Sequence, residues 1–148
     1  MNKNKVIKIL NVILPVVGMG AIIYYKICDT SCAYISGSFL GIDLKIIGIL
    51  FMAVLLILNI PAVSSYKTPV DHLRTMMLAG AMGGEVILVR FQVVNDAFCP
   101  FCLVFGLCLL LLFAVNVRSM NRYLAGACFL AGIGAFALFF KGSVLPLY

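Results

Sequence analysis

A chain of 148 residues that is 64% hydrophobic and 11% charged, with a mean hydropathy of +1.18, lies far outside the range of soluble domains, which are about half apolar. It belongs in a bilayer. The formal charge of +6 does not point to nucleic acid, because the Lys and Arg residues are scattered between long apolar runs and form no stripe or patch; anchoring and orienting helices is their simpler use.

Five apolar windows follow one another, each close to the roughly 20 residues that cross the hydrocarbon of a membrane: Val6 to Tyr25, Ile46 to Val63, Thr75 to Val94, Phe101 to Val117 and Tyr123 to Phe140. They read as five spanning helices in a single domain covering residues 1–148. The second and fifth are short, and Glu85 and Arg90 interrupt the third. Lys3, Lys5 and Lys8 before the first apolar run resemble a signal peptide. That run is too long for one, however, and no small-x-small cleavage site follows Tyr25, so it reads as a retained span. With the N-terminus in the cytoplasm, the inner segments hold Lys3, Lys5, Lys8, Lys67, Arg74, Arg118 and Arg122, and the outer ones hold Lys26, Lys45, Arg90 and Lys141. Seven against four favours this orientation. Two polar stretches stand out, residues 28–43 and 64–72. The first, too polar for lipid yet containing Ile35, Phe39, Leu40 and Ile42, is expected to lie over the outer end of the bundle as a short interfacial helix or lid.

Six cysteines divide into two close pairs, Cys28/Cys32 and Cys99/Cys102, and two single residues, Cys108 and Cys128, inside apolar runs. The single residues read as small apolar fillers. Cys99-Pro100-Phe101-Cys102 follows a polar Asn95-Asp96 turn, and Pro100 suits a first helical turn, where a missing N–H costs nothing. Cysteines three apart at a helix N-terminus lie on one face, and the orphan N–H groups there stabilise a thiolate, the nucleophile of disulfide exchange. Cys28-Asp29-Thr30-Ser31-Cys32 sits in a small, accessible outer loop. Both pairs fall on the same outer side, which the charge count did not presuppose, and on the outer face of a bacterial inner membrane, or the lumenal side of the endoplasmic reticulum, disulfides form and persist. A relay between two dithiols accounts for this placement. Other readings compete: a bland apolar pair, a structural disulfide, a Cys₄ zinc site, a purely structural membrane subunit, and a soft-metal transport or binding protein handling Hg²⁺, Cu⁺ or Zn²⁺. The sequence offers no metal-binding His or Met cluster to support the last, and no metal ligand is assigned.

A helix, then Cys28 and Cys32, Ser38, Gly41-Ile42, Gly48, two further helices' worth of chain, and Cys99-Pro100-Phe101-Cys102-Leu103 occur in an order that resembles the vitamin K epoxide reductase family, especially its bacterial members. The likeness spans about residues 6–117. It implies an all-α membrane protein: a four-helix transmembrane bundle around a quinone site, with a fifth, peripheral helix near residues 123–140. By position it also implies that Cys102 faces the quinone, Cys99 resolves it, Cys32 exchanges with Cys99, and Cys28 meets an outside partner. Ser38, Phe101 and Phe105 would belong to the quinone pocket or its lid. The implied cofactor is ubiquinone or menaquinone, and the implied activity is quinone-dependent disulfide formation. Because no thioredoxin-like domain occurs within these residues, the thiol partner is expected to be a separate thioredoxin-like extracytoplasmic protein.

The chain departs from the family pattern in other respects. Only three residues separate the loop cysteines, Asp43 stands where a proline commonly follows Gly-Ile, and Gly106 stands four residues after Cys102 where animal members carry a tyrosine, so epoxide reduction is not expected. A different disulfide-generating oxidase family places its Cys-x-x-Cys early and its wider pair late, the reverse of the order here. Glu85 and Arg90 are expected to face the bundle, pair or snorkel; for Glu85 a structural hydrogen bond and a proton relay to the quinone both stand open. His72 reads as interfacial. Gly80, Gly83, Gly84, Gly126, Gly132 and Gly134 read as close helix packing.

Overall fold

The computed structural model describes residues 3–27, 35–60 and 67–144. Five helices appear where the apolar windows lie: α1 (Lys3–Ile27), α2 (Leu44–Leu58), α3 (Lys67–Val94), α4 (Pro100–Asn116) and α5 (Arg122–Phe139). Four contain stretches long and apolar enough to cross a membrane, Lys5–Tyr24, Pro69–Val94, Pro100–Ser119 and Arg122–Phe139, and they make this an integral membrane protein. The fifth, α2, has 15 residues; at 1.5 Å per residue it spans about 22 Å, short of the roughly 30 Å of a hydrocarbon core.

Helix α1 packs against α2 and α4, and α3 packs against α5 and α4. The shared core is formed by Leu14, Met52, Leu55, Leu78, Cys108, Leu109, Leu112 and Met120, while the outward faces carry Ile13, Leu50, Leu110 and Leu130, as expected where the surroundings are themselves apolar. Cys108 is one of the core side chains, a filler as its sequence context suggests. Gly83 and Gly132 bring α3 and α5 together at backbone level. A Cβ on Gly83 would overlap the Phe129 carbonyl oxygen, and one on Gly132 the Gly80 carbonyl oxygen. Close approach of this kind replaces the hydrophobic drive that lipid removes. Gly126 and Gly134 meet nothing within 4 Å and take no part in this contact.

One end of the bundle is tied by amides. Asn11 on α1 and Asn116 on α4 exchange two side-chain hydrogen bonds, Asn11 Nδ2 donating to Asn116 Oδ1 at 3.1 Å and Asn116 Nδ2 to Asn11 Oδ1 at 2.7 Å. The buried Pro15 within α1 has no N–H to offer the carbonyl four residues earlier, which is that of Asn11. Asn59, at the C-cap of α2, supplies the missing donor: its Nδ2 reaches Asn11 O at 3.0 Å. Arg74 of α3 then donates to Asn59 Oδ1 at 3.2 Å and pairs with Asp71 at 2.9 Å. Four helices are thereby joined through one polar chain, in keeping with the rule that backbone groups inside a membrane must be satisfied by the protein.

At the opposite end the structure departs from an all-α architecture. Of the stretch expected to form a short interfacial helix or lid, residues 35–43 form no helix but a hairpin of β1 (Ile35–Phe39) and β2 (Ile42–Asp43), and β3 (Phe140–Val144) completes an antiparallel sheet of order β2-β1-β3. The turn residues Leu40 and Gly41 both have positive φ, 53° and 82°, as a two-residue hairpin turn of matching twist requires. Glycine takes this conformation at no steric cost, whereas Leu40 is strained. The fifth helix therefore stops at Phe139, and the chain continues as a strand paired from Ile35↔Val144 to Phe39↔Phe140. Phenylalanines fasten the sheet to the helices: Phe39 stacks on Phe136 at 4.7 Å, and Phe91 meets Phe140 edge-on at 5.3 Å. Gly37 and Gly142 face each other in this register, and a Cβ on either would strike the ring of Phe140; the glycines make room for the aromatics that cover them.

Candidate functional site

Helix α3 ends in a turn built from its own backbone. The Ala97 N–H bonds to Gln92 O at 3.0 Å and the Asp96 N–H to Val93 O at 3.3 Å, with Asp96 left-handed at φ 48°; this 6→1 and 5→2 pairing is the Schellman closure. The chain then reverses into α4, where Cys99 is the N-cap and Pro100 begins the helix, as the sequence predicts. Gln92 serves the turn twice. Its backbone carbonyl holds Ala97, and its side-chain Oε1 accepts the Cys99 N–H at 3.0 Å. Cys99 is fully buried, packed by Ile35 of β1 and by Phe101.

Cys102, one turn into α4, remains accessible and lines a cavity of about 390 Å³. The wall is mostly apolar. Ile22 comes from α1, Ile47, Gly48 and Phe51 from α2, Leu88 and Phe91 from α3, Phe101 and Phe105 from α4, Phe136 from α5, and Ile35, Gly37 and Phe140 from the sheet. Helices α1, α2 and α5 contribute residues from the end that carries the sheet, whereas along α3 and α4 the lining runs deeper, to Met76, Gly80 and Leu109. The C-terminal end of α1, which immediately precedes Cys28, and the cysteine turn before α4 lie at the end that carries the sheet. A concave, apolar, aromatic-lined space of a few hundred Å³ with few polar groups has the character of a small-molecule site.

The structure brings Cys102, Phe101 and Phe105 together on the cavity wall and sets Cys99 directly behind Phe101. The ring of Phe101 also lies 5.6 Å from that of Tyr24. Ser38 is placed differently. Strand side chains alternate between faces; Ile35 and Gly37 line the cavity, while Ser36 and Ser38 belong to a shallow polar hollow shared with Lys141 and Ser143 on the other face of the sheet. Ser38 is a lid residue that does not line the main cavity. Cys28 and Cys32 lie outside the described residues, and no disulfide joins two described cysteines. Helix α5 has no buried residue of its own, which fits a place at the edge of the bundle, yet through Phe136 it forms part of the cavity wall.

Gln92 and the Phe91, Phe136 and Phe140 wall went unread in the sequence. A glutamine in the last turn of an apolar helix, seven residues before a cysteine, is the one local sign that could have drawn attention to Gln92. The aromatic wall has no local sign, because β1 and β3 are about 100 residues apart. Asp43 also acquires a role: its side chain caps α2 by accepting the Lys45 N–H at 2.9 Å, as Asp does at helix N-termini. Comparison with protein-family models, with curated proteins and with solved structures finds no match to this chain.

Proposed function

We propose that this chain is a membrane thiol–disulfide oxidoreductase that passes electrons from a reduced thioredoxin-like partner, through Cys28/Cys32 and then Cys99/Cys102, to ubiquinone or menaquinone. The observation that carries the reading is Cys102 facing an apolar, aromatic cavity from the first turns of α4 while Cys99 sits sealed beside it. An apolar ring-sized ligand suits such a space, and a thiolate suits the helix N-terminus that borders it.

The chemistry balances across the two pairs. A partner dithiol reduces a Cys28–Cys32 disulfide and leaves oxidised. The Cys32 thiolate then attacks Cys99 in a Cys99–Cys102 disulfide, Cys102 departs as thiolate, and Cys28 resolves the Cys32–Cys99 bond. Cys102 next adds to the quinone ring; Cys99 attacks the Cys102 sulfur, the disulfide re-forms, and the quinone leaves as quinol carrying two electrons and two protons. The placement of Ile35 against Cys99 supports the exchange step, since Ile35 follows Cys32 by three residues and three residues of extended chain reach only about 10 Å. The motif resemblance to the vitamin K epoxide reductase family supports the same assignment of roles. In this reading the protein lies in a bacterial inner membrane with its N-terminus cytoplasmic and the lidded end outside.

Purified protein reduced with dithiothreitol and mixed with a short-tailed quinone tests the proposal. A long-wavelength thiolate–quinone charge-transfer band, followed by quinol, is expected, with both lost in Cys102→Ala. Wild-type protein that forms neither band nor quinol would refute the reading, and tight stoichiometric zinc binding would replace it with the metal alternative. Orientation is checked separately: a membrane-impermeant thiol reagent applied to intact, reduced cells should label Cys28 or Cys32.

A further inference from the structure

Besides Cys102, four ionisable or amide side chains line the cavity, Asp43, Lys45, Glu85 and Gln92, and they are not alike. Asp43 caps α2 through the Lys45 N–H, and Gln92 holds the Cys99 N–H. Glu85 is 8% exposed, deep in α3, and makes no hydrogen bond or ion pair with any described residue. Its carboxylate lies over Gly106 of α4, where an added Cβ would overlap Oε1. Gly106 therefore leaves open the space that the carboxylate occupies. A carboxyl group withdrawn from water with no partner is costly, and buried ionisable groups in membrane helices mark functional paths more often than packing. What meets this group must come from the cavity.

Cys102 and Gly106 are one helical turn apart on a single face of α4, a spacing of about 5–6 Å between neighbouring side-chain positions. The Glu85 carboxyl is accordingly set one turn deeper than the Cys102 thiol on the same wall. A quinone ring lying along that wall presents a ring carbon to the sulfur and one of its oxygens to the carboxyl.

We infer that Glu85 is the proton-carrying group of the cavity, hydrogen-bonding one ring oxygen of the bound quinone and delivering a proton to it as quinol forms. This rests on the quinone reading above. A carboxyl group suits both redox forms: protonated, it donates to a quinone carbonyl, and ionised, it accepts from a quinol hydroxyl. Oxidation of the Cys99/Cys102 dithiol releases two electrons and two protons. Both electrons enter the ring, and one thiol proton passes to one oxygen. Glu85 gives its own proton to the other oxygen and recovers the second thiol proton, so the carboxyl is unchanged over the cycle.

The test uses the full chain in lipid nanodiscs, with dithiothreitol as reductant and a short-tailed ubiquinone as acceptor. Glu85→Gln keeps a donor but has no proton to transfer. It should retain a nearly unchanged KM while kcat falls about 10²-fold, the scale of general acid catalysis, and Glu85→Asp should recover part of that rate. In the infrared, the wild-type carboxyl C=O band should shift when quinone is added, and Glu85→Gln should lack that shift. Gly106→Ala, which displaces the carboxyl without removing it, should also lower turnover; it decides the matter if Glu85→Gln fails to fold. Full kcat in Glu85→Gln, full turnover in Gly106→Ala, or a carboxyl band indifferent to quinone overturns the inference while quinone reduction stands. Wild-type protein that does not reduce quinone removes the premise instead, and the inference falls with it.

Discussion

The two ends of the bundle are held together by opposite means. At one, Asn11, Asn59, Arg74 and Asn116 interlock four helices through hydrogen bonds between 2.7 and 3.2 Å. Away from it, the helices enclose about 390 Å³ of cavity whose lining reaches down α3 to Met76, and among the described residues the cover is a three-stranded sheet pinned by aromatic rings. A membrane bundle that must admit a ligand at one end gains by being tied at the other. Rigidity is placed where specific polar contacts cost least in function, and the open space is left where the chemistry would occur.

The sharpest way to test this division is Cys102→Ala, which should abolish quinone reduction with any donor while leaving the unfolding midpoint in detergent essentially unchanged. Cys108→Ala and Cys128→Ala should keep their turnover. Cys28→Ser refines the point: with dithiothreitol it should still reduce quinone, because a small dithiol can attack the accessible Cys102 sulfur of a Cys99–Cys102 disulfide, yet with a reduced thioredoxin-like protein it should fail. Equal activity with the protein donor would make the loop pair a structural staple. Next in size is Gly132→Val, which forces a side chain against the Gly80 carbonyl. Overpacking of this sort costs about 1–3 kcal/mol, and because α5 carries Phe136, the quinone KM should rise along with the loss of stability.

Asn116→Leu acts at the closed end alone. Breaking the amide pair should cost about 1–2 kcal/mol, the range of interhelical hydrogen bonds in membranes, read as a lower unfolding midpoint with kcat for dithiothreitol-driven reduction preserved. A large fall in kcat would mean that the two ends are coupled and the division is wrong. The smallest effect is expected at Leu40, held in the left-handed region. Leu40→Asn should relieve part of a strain of roughly 1–2 kcal/mol and raise the midpoint slightly without changing turnover.

How much of this was legible in the sequence depended on how local the cause was. Hydropathy sums over adjacent residues, so five helices could be placed within a few residues, although α3 begins at Lys67, eight residues before its apolar window. The Cys99-Pro100 helix start was equally visible, because a cap and a first-turn proline are defined by neighbours. The lid was not. Phe140 to Val144 has no strand alternation strong enough to read alone, and it becomes a strand only because β1 offers an edge. The amide network was hidden for the same reason: Asn11 and Asn116 are 105 residues apart, and no composition rule says that Pro15 leaves a carbonyl for Asn59 to meet. Glu85 was conspicuous as a charge in an apolar run, but only the register of α3 against α4 shows that its carboxyl lies over Gly106.

The pairing of β1 with β3 also sets an order in time. A ribosome delivers residues 35–39 long before residues 140–144, so until α5 has been inserted and β3 follows it, β1 has, among the described residues, only the two of β2 paired beside it. During that interval the cysteine turn before α4 can already be in place while Phe136 and Phe140 are still to come. The pocket wall is therefore completed only after Phe136 and Phe140 have been made, and until then the nascent chain holds the cysteine turn beneath a half-built roof. Quality control or early oxidants would meet the protein in that window, and a ligand present then would find its chamber still unclosed.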